Sequence, residues 1–143
     1  MKNNFIALIL IGISLIGCAS TAPLPATLNI IPPAPDVPPE IAAFSGVWDG
    51  KWKGYFESIL VVEKIDNNKA DVIYSFGLDR GRDPHYFYLT AQVSSGSSIE
   101  WTDPKGNKYI FKMDKGLNKI YGMFIEKKTG ANEWAYYHRR IAK

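Results

Sequence analysis

The fold is decided by the stretch GVWDGKWKGYF, residues 46–56. Every second position in it holds an aromatic residue or glycine, and these are Trp48, Gly50, Trp52, Gly54 and Phe56. The positions between them, 49, 51 and 53, are charged. A two-residue period with one apolar and one charged face is typical of an antiparallel strand that packs one face on a core. The stretch therefore predicts a half-buried strand and not a helix.

The same period continues to the end of the chain in seven further segments that are separated by polar turns. Turn residues are clearest at 66–69 (DNNK), 103–106 (DPKG) and 114–116 (DKG). The predicted strands are Ser58–Ile65, Ala70–Phe76, His85–Val93, Ser98–Trp101, Lys108–Met113, Leu117–Glu126 and Asn132–Ile141. With the first strand they predict an all-β domain over residues 44–143. Its expected form is a single antiparallel up-and-down β-barrel of about eight strands, with a sandwich as the alternative.

One short motif in the first predicted strand points to a family. Gly46-Val47-Trp48 resembles the Gly-x-Trp signature of the calycin superfamily, which includes lipocalins, fatty-acid-binding proteins and avidins. In that superfamily an arginine of the last strand packs across the tryptophan and closes one end of the barrel. The resemblance implies this role for Arg139 or Arg140. Because the chain is short and lacks a second lipocalin motif, it resembles most the small barrels of bacterial envelope lipoproteins.

The N-terminus, residues 1–17, has the layout of a secretory signal peptide. Lys2 precedes an apolar run over residues 5–16, which is short for a membrane span because about 20 apolar residues are needed. The run leads into Leu15-Ile16-Gly17-Cys18, which resembles the lipobox of bacterial lipoproteins, and Cys18 is the only cysteine. The resemblance implies cleavage before Cys18 and its lipidation, with palmitate among the acyl chains. Ala19 then implies the outer membrane of a Gram-negative envelope. An ordinary signal peptide is the alternative.

Residues 18–43 form a Pro-rich segment with a composition unlike that of the rest of the chain. Seven prolines stand at positions 23, 25, 32, 33, 35, 38 and 39, and the segment has no aromatic residue. This composition favours extended polyproline backbone and predicts a disordered linker that holds the barrel off the membrane. The run PPAP at 32–35 leaves a docking motif open as the alternative.

Charge and motifs exclude several function classes. The net charge of +3, from 17 Lys and Arg against 14 Asp and Glu, excludes a strongly basic nucleic-acid-binding protein. The sequence shows no phosphate-binding loop, dinucleotide fingerprint or nucleophile elbow. His85 and His138 lack the spacing of metal ligands. The sequence therefore predicts no catalytic residue, no metal and no cofactor, and the protein is expected not to be an enzyme.

Two binding functions remain open at this point. A carrier would hold an apolar or amphipathic ligand inside the barrel. The residues expected to contact that ligand are Trp48, Trp52, Ile73, Phe124, Arg80 and Arg82. An interaction protein would instead have a filled barrel and bind an envelope protein, including an enzyme to be inhibited, or a glycan. It would do so through exposed aromatic residues, for which the candidates are Tyr86, Tyr88, Trp134 and Tyr136. The volume of the interior cavity distinguishes the two functions.

Overall fold

The computed structural model describes residues 21–79, 81–94 and 97–141. The predicted signal peptide, Cys18 and Arg80 lie outside these residues. Eight antiparallel strands form a closed barrel in which each strand pairs with its neighbours along the chain and the first also pairs with the last. They are β1 (Gly46–Trp52), β2 (Phe56–Ile65), β3 (Lys69–Phe76), β4 (His85–Ser94), β5 (Ser98–Thr102), β6 (Lys108–Met113), β7 (Lys119–Ile125) and β8 (Asn132–Arg139). The predicted up-and-down barrel is confirmed, and the sandwich alternative is excluded.

The two ends of the barrel differ in what surrounds them. The loops that contain residues 53–55, 77–79 and 81–84, 103–107 and 126–131 surround one end, which we call the mouth. At the other end, which we call the closed end, the short helix α1 (Pro39–Ala42) and the residues beside it pack onto the core. The closed end therefore receives its cover from the segment that precedes β1.

Aspartates fix several of the turns between strands. The Asp66 carboxylate accepts hydrogen bonds from the backbone N–H groups of Asn68 (2.8 Å) and Lys69 (2.9 Å). Asp114 binds the backbone of its own turn in the same way. Because these bonds favour the ionised carboxylate, the pKa values of Asp66 and Asp114 lie below their ordinary value. Such side-chain bonds satisfy loop N–H groups that have no strand partner.

The first strand is shorter than its sequence pattern predicts. Lys53 and Gly54 have positive φ angles of 52° and 79°, which turn the chain directly after Trp52. Phe56 therefore begins β2 and pairs with Trp52 across the hairpin. The prediction that the first strand continues to residue 56 was wrong because a glycine on the apolar face also allows a turn.

Side chains fill the barrel from the closed end to its middle. The fully buried ones that point inward include Trp48, Leu60, Val72, Ile99, Phe111, Ile120 and Tyr137. The Tyr137 ring lies directly over Gly50, so closely that a Cβ atom there would overlap the ring. Gly122 leaves room for the same ring from β7. Glycine at these two positions therefore makes space for one large aromatic side chain inside a narrow barrel.

A chain of polar groups crosses the middle of the core. Trp52 Nε1 donates a hydrogen bond to the Tyr74 hydroxyl at 2.6 Å. The Tyr137 hydroxyl shares a hydrogen bond with Ser58 Oγ at 2.5 Å, and it also hydrogen bonds with Tyr74. Burial raises the pKa values of both tyrosines, so both hydroxyls stay neutral and can donate. The network pairs polar groups that would be costly to bury alone.

Residues 21–31, which we call the strap, cross the outer face of β2 and β3. Hydrogen bonds hold the strap along its length. Ser75 Oγ donates to the Pro23 carbonyl at 2.5 Å, the Asn29 N–H to Glu63 Oε1 at 2.6 Å, and the Ile31 N–H to the Glu63 carbonyl at 2.7 Å. The strap therefore runs from the mouth towards the closed end, where α1 follows it.

Apolar contacts explain why the strap lies on the barrel. The outward side chains of Ile59, Val61 and Ile73 are buried, and they form one cluster with Ala22, Leu24 and Leu28. Apart from α1 the described part of the Pro-rich segment has no helix or strand, as its composition predicts. It does not extend away from the barrel as a spacer over residues 21–43, however, because its apolar residues cover an apolar outer face.

Candidate functional site

A small cavity opens at the mouth of the barrel. Its volume is about 90 Å³. Aromatic rings and acidic groups form most of its wall, and the lining residues are Trp52, Phe56, Glu57, Tyr74, Phe76, Gly77, Asp79, Arg82, Tyr109, Phe124 and Glu133. Because the hydrogen-bonded side chains of Trp52, Tyr74 and Tyr137 cross the core beneath it, the cavity is confined to the end of the barrel.

The charged groups around this cavity are arranged in pairs. Arg82 forms an ion pair with Asp79, and its guanidinium lies 5.7 Å from the centre of the Phe76 ring. Lys53 forms an ion pair with Glu133 at 2.5 Å. The second carboxylate oxygen of Asp79, Oδ1, is buried and has no hydrogen-bond partner among the described residues. A buried carboxylate oxygen without a donor is costly, so this atom is a natural contact for a ligand donor.

The size of the cavity limits what it can hold. Pockets for drug-sized ligands enclose about 300–1,000 Å³, and this one encloses about 90 Å³. A long acyl chain would have to displace the buried rings of Phe111 and Tyr137 to enter the barrel. A closely packed interior resists such displacement. The cavity therefore fits a small group and not a whole lipid.

The structure brings together only some of the residues predicted to contact a ligand. Trp52, Phe124 and Arg82 line the mouth cavity. Trp48 is fully buried at the closed end and does not reach it. Ile73 points outward beneath the strap and does not face the interior, because β3 places Tyr74 inward and its neighbours outward. Tyr74, Phe76 and Tyr109 were missed. Tyr74 belongs to an apolar run that does not show which side chain points inward, whereas the two-residue period would have identified Phe76 and Tyr109.

At the closed end, one of the two arginines covers Trp48 of the Gly-x-Trp motif. The Arg139 guanidinium lies 4.3 Å from the centre of the Trp48 ring and donates hydrogen bonds to the carbonyls of Ser45 (2.8 Å) and Ala43 (2.5 Å). A Cβ atom on Gly46 would lie 2.9 Å from this guanidinium. Arg140 instead points outward and pairs with Asp49. Of the two arginines, Arg139 has the position that the calycin resemblance implies.

Three aromatic side chains lie together on the outer surface, and we call them the β7–β8 aromatic face: Tyr121, Trp134 and Tyr136. Trp134 and Tyr136 are 56% and 59% exposed. Tyr121 is paired with Tyr136 across the two strands, with ring centres 5.2 Å apart. Met123 lies opposite Trp134 and is partly buried. The face is therefore a continuous strip of aromatic and apolar surface.

A second aromatic pair lies on β4 and was predicted to point outward. Tyr86 and Tyr88 do so, with ring centres 5.9 Å apart, and Tyr88 is 64% exposed. Tyr88 pairs across the strands with Ile73, which the strap covers. This pair comprises two residues of one strand, so it offers less continuous aromatic surface than the β7–β8 aromatic face.

Neither histidine belongs to a metal-binding group of the described residues. These residues contain no set of three or more His, Asp or Glu residues placed to hold a metal ion. His85 packs against the ring of Phe76 with centres 4.1 Å apart, and His138 is on the outer face of β8, paired with Asp49 of β1. In the described part of the chain no helix has both the length and the apolarity to cross a membrane.

Comparison with known proteins identifies no family for this chain. The chain matches no protein-family model, no curated protein and no solved structure. The part of the calycin resemblance that the structure supports is the architecture, a closed barrel of eight antiparallel strands. Function therefore has to be argued from the surfaces and the cavity described above.

Proposed function

We propose that this chain is a lipid-anchored protein of the Gram-negative cell envelope whose barrel binds a protein partner through the β7–β8 aromatic face. The lipobox-like ending at Cys18 supports the anchor, and Ala19 supports the outer membrane as its location. The observation that carries the binding function is the exposure of Trp134 and Tyr136 on a barrel whose interior is filled.

The chemistry of the face favours a protein partner over a glycan. Trp and Tyr dominate binding energy at protein interfaces, and Met is enriched there. Lysines border the strip: Lys51 pairs with Tyr136, and Lys112 pairs with Tyr121. Such a border favours a partner with acidic residues around an apolar pocket that receives the Trp134 ring. An enzyme inhibited by capping of its active-site cleft belongs to this class.

The apolar outer surfaces of the barrel differ in whether the chain itself covers them. The apolar outer surface of β2 and β3 is covered by the chain itself, through Ala22, Leu24 and Leu28. No described segment covers the β7–β8 aromatic face, although it is equally rich in large side chains. Soluble domains seldom leave a continuous apolar patch exposed without a binding function.

Site-specific crosslinking in the intact cell tests this function. A photoreactive residue would replace Tyr136 or Tyr121 of the full-length chain, and Tyr88 would be the matched control because it is similarly exposed. We expect one discrete protein adduct from positions 136 and 121 and none from 88. Trp134→Ala should abolish the adduct, and Lys112→Glu should weaken it. An adduct to glycan alone, or equal labelling from all three positions, would refute a protein partner at this face.

A second candidate function is supported by the unpartnered oxygen of Asp79 in the mouth cavity. Aromatic rings beside carboxylates form a site for a small cationic group. Within the protein, the Arg82 guanidinium makes this type of contact with Phe76 and Asp79. A ligand cation would take the place of that guanidinium. The cavity would thus take the small polar end of an amphipathic ligand, whose chain stays outside the barrel.

Native mass spectrometry tests this second function. The chain from Ala19 onwards, secreted into a bacterial periplasm and purified gently, should carry a reproducible added mass. Asp79→Asn and Phe124→Ala should remove that mass, whereas Tyr88→Ala should retain it. A clean mass without ligand in the unsubstituted protein would exclude this function.

A further inference from the structure

The first described residue of the chain is attached at the mouth. The Thr21 N–H donates a hydrogen bond to Glu57 Oε2 at 2.5 Å, and its hydroxyl lies against Gly77. Glu57 follows the first residue of β2, and Gly77 follows the last residue of β3, so both stand at the mouth. The strap then leads away from the mouth towards the closed end.

This attachment limits where a lipid on Cys18 can be. Only residues 19 and 20 separate Cys18 from Thr21. Consecutive Cα atoms are about 3.8 Å apart, so in any conformation the Cα of Cys18 lies within about 11 Å of that of Thr21. β2 has ten residues and spans about 30 Å, which places the closed end well beyond this reach. An anchor at Cys18 therefore holds the mouth, and not the closed end, next to the bilayer.

The rim of the mouth has the side chains that suit such a position. Leu78 and Tyr55 are 64% and 58% exposed on two of its loops. Lys105, Lys127 and Lys128 are exposed on the other two. Apolar and aromatic residues favour the headgroup region of a bilayer, and lysines favour its phosphates and anionic lipids.

The acidic residues of the rim are largely engaged within the protein. Asp79 pairs with Arg82, and Asp103 accepts hydrogen bonds from the backbone of its own loop. Glu126 accepts one from Thr129, and Glu133 pairs with Lys53. The two ion pairs offset the charges of Asp79 and Glu133, whereas Asp103 and Glu126 keep their charge and Asp83 is exposed, so the attraction to anionic lipid rests on Lys105, Lys127 and Lys128.

We infer that the strap orients the barrel on the membrane, with the mouth against an anionic phospholipid surface and Leu78 and Tyr55 in its headgroup layer. This inference rests on the lipidation of Cys18 in the proposed function. The closed end then points away from the bilayer, and the β7–β8 aromatic face stands at the side of the barrel, accessible to another envelope protein. The mouth cavity opens towards the lipid.

Labelling of single cysteines tests the orientation. Because lipidation consumes the thiol of the only natural cysteine, an introduced cysteine is the single free thiol of the mature protein. Leu78→Cys and Tyr55→Cys place a fluorophore at the mouth, and Lys115→Cys and Asn67→Cys place one at the closed end. The lipidated full-length protein would be reconstituted into vesicles of phosphatidylethanolamine and phosphatidylglycerol.

We expect the mouth labels to be quenched by a lipid-borne quencher and protected several-fold from an aqueous one. The closed-end labels should show the reverse. Leu24→Asp with Leu28→Asp, which detaches the strap, should remove the protection at position 78 while circular dichroism still shows a folded barrel.

Two results would overturn the inference, and they differ in what else they refute. A lipidated protein whose labels are equally accessible at both ends, or protected at the closed end, refutes the orientation and leaves the anchor standing. A mass spectrum that shows Cys18 unmodified after export refutes the anchor and the orientation together.

Discussion

Gly50→Ala is the sharpest test of how the barrel is filled. An added Cβ would lie 2.5 Å from Cε1 and 2.6 Å from Cγ of the Tyr137 ring, well inside van der Waals contact. The ring cannot move freely, because Trp52 and Phe111 pack around it with ring centres 6.3 Å and 5.4 Å away. Overpacking of this kind costs about 1–3 kcal/mol. For a domain of this size we expect the melting temperature to fall by about 4–8 °C for each kcal/mol lost.

Urea and thermal unfolding of the chain from Ala19 onwards provide the measurement. Gly116→Ala is the matched control, because its nearest neighbour would be an Asp114 oxygen at 3.2 Å at the end of a side chain in an exposed turn. It should change stability by less than about 0.5 kcal/mol. Adding Tyr137→Leu to Gly50→Ala should cost less than the two changes separately, because the smaller side chain relieves the overlap. Full additivity, or an unaffected Gly50→Ala, would refute the packing of Tyr137 on Gly50.

Three further predictions concern the packing of the closed end, the stability of the barrel at low pH and its stability at high pH. Arg139→Ala removes a cation–π contact and two hydrogen bonds to carbonyls. It should lower the free energy of unfolding, measured in urea, by about 1–3 kcal/mol. Arg139→Lys should recover only part of this loss, because lysine lacks the planar guanidinium. The pKa values of Asp66 and Asp114 are lowered in the folded protein, so the stability that these carboxylates provide is complete above the ordinary pKa of 3.8 and is lost as the pH falls through the lower folded values. With Asn at both positions, the free energy of unfolding should therefore depend less on pH below 3.8. The raised pKa values of Tyr74 and Tyr137 favour the neutral phenol, so the stability of the barrel should hold below the ordinary pKa of 10.0 and fall as the pH rises above it. Ultraviolet titration should show that both phenols ionise only as the barrel unfolds.

The sequence was informative wherever one face of a strand is polar. In β1 aromatic or glycine residues alternate with charged ones, so the inward positions of Trp48 and Trp52 could be assigned from their order alone. The turns were equally clear, because Asp66 and Asp114 belong to residue clusters that bind their own backbone. All eight strands were therefore predicted at nearly the right positions.

Prediction failed where both faces of a strand are apolar. Residues 59–62 and 72–74 are continuous apolar runs, and such a run does not show which side chain points inward. Ile73 was assigned to the interior for this reason, whereas the strap buries it on the outside. The double-sided runs were themselves the signal that a second layer covers β2 and β3. Nothing local, however, shows that a Pro-rich segment some thirty to fifty residues away provides it.

The strap also sets how far the barrel can move from its point of attachment. A pull on Thr21 away from the mouth acts on the end of the strap, so its contacts with β2 and β3 break one after another while the closed barrel keeps all its strand pairs. Once residues 21–43 are released, they can extend by about 3.1 Å per residue, or roughly 70 Å in total. The same segment is therefore a short tether while it is packed on the barrel and a long tether once force has released it. In the proposed function, a partner bound to Trp134 would then be drawn away from the membrane without unfolding of the barrel.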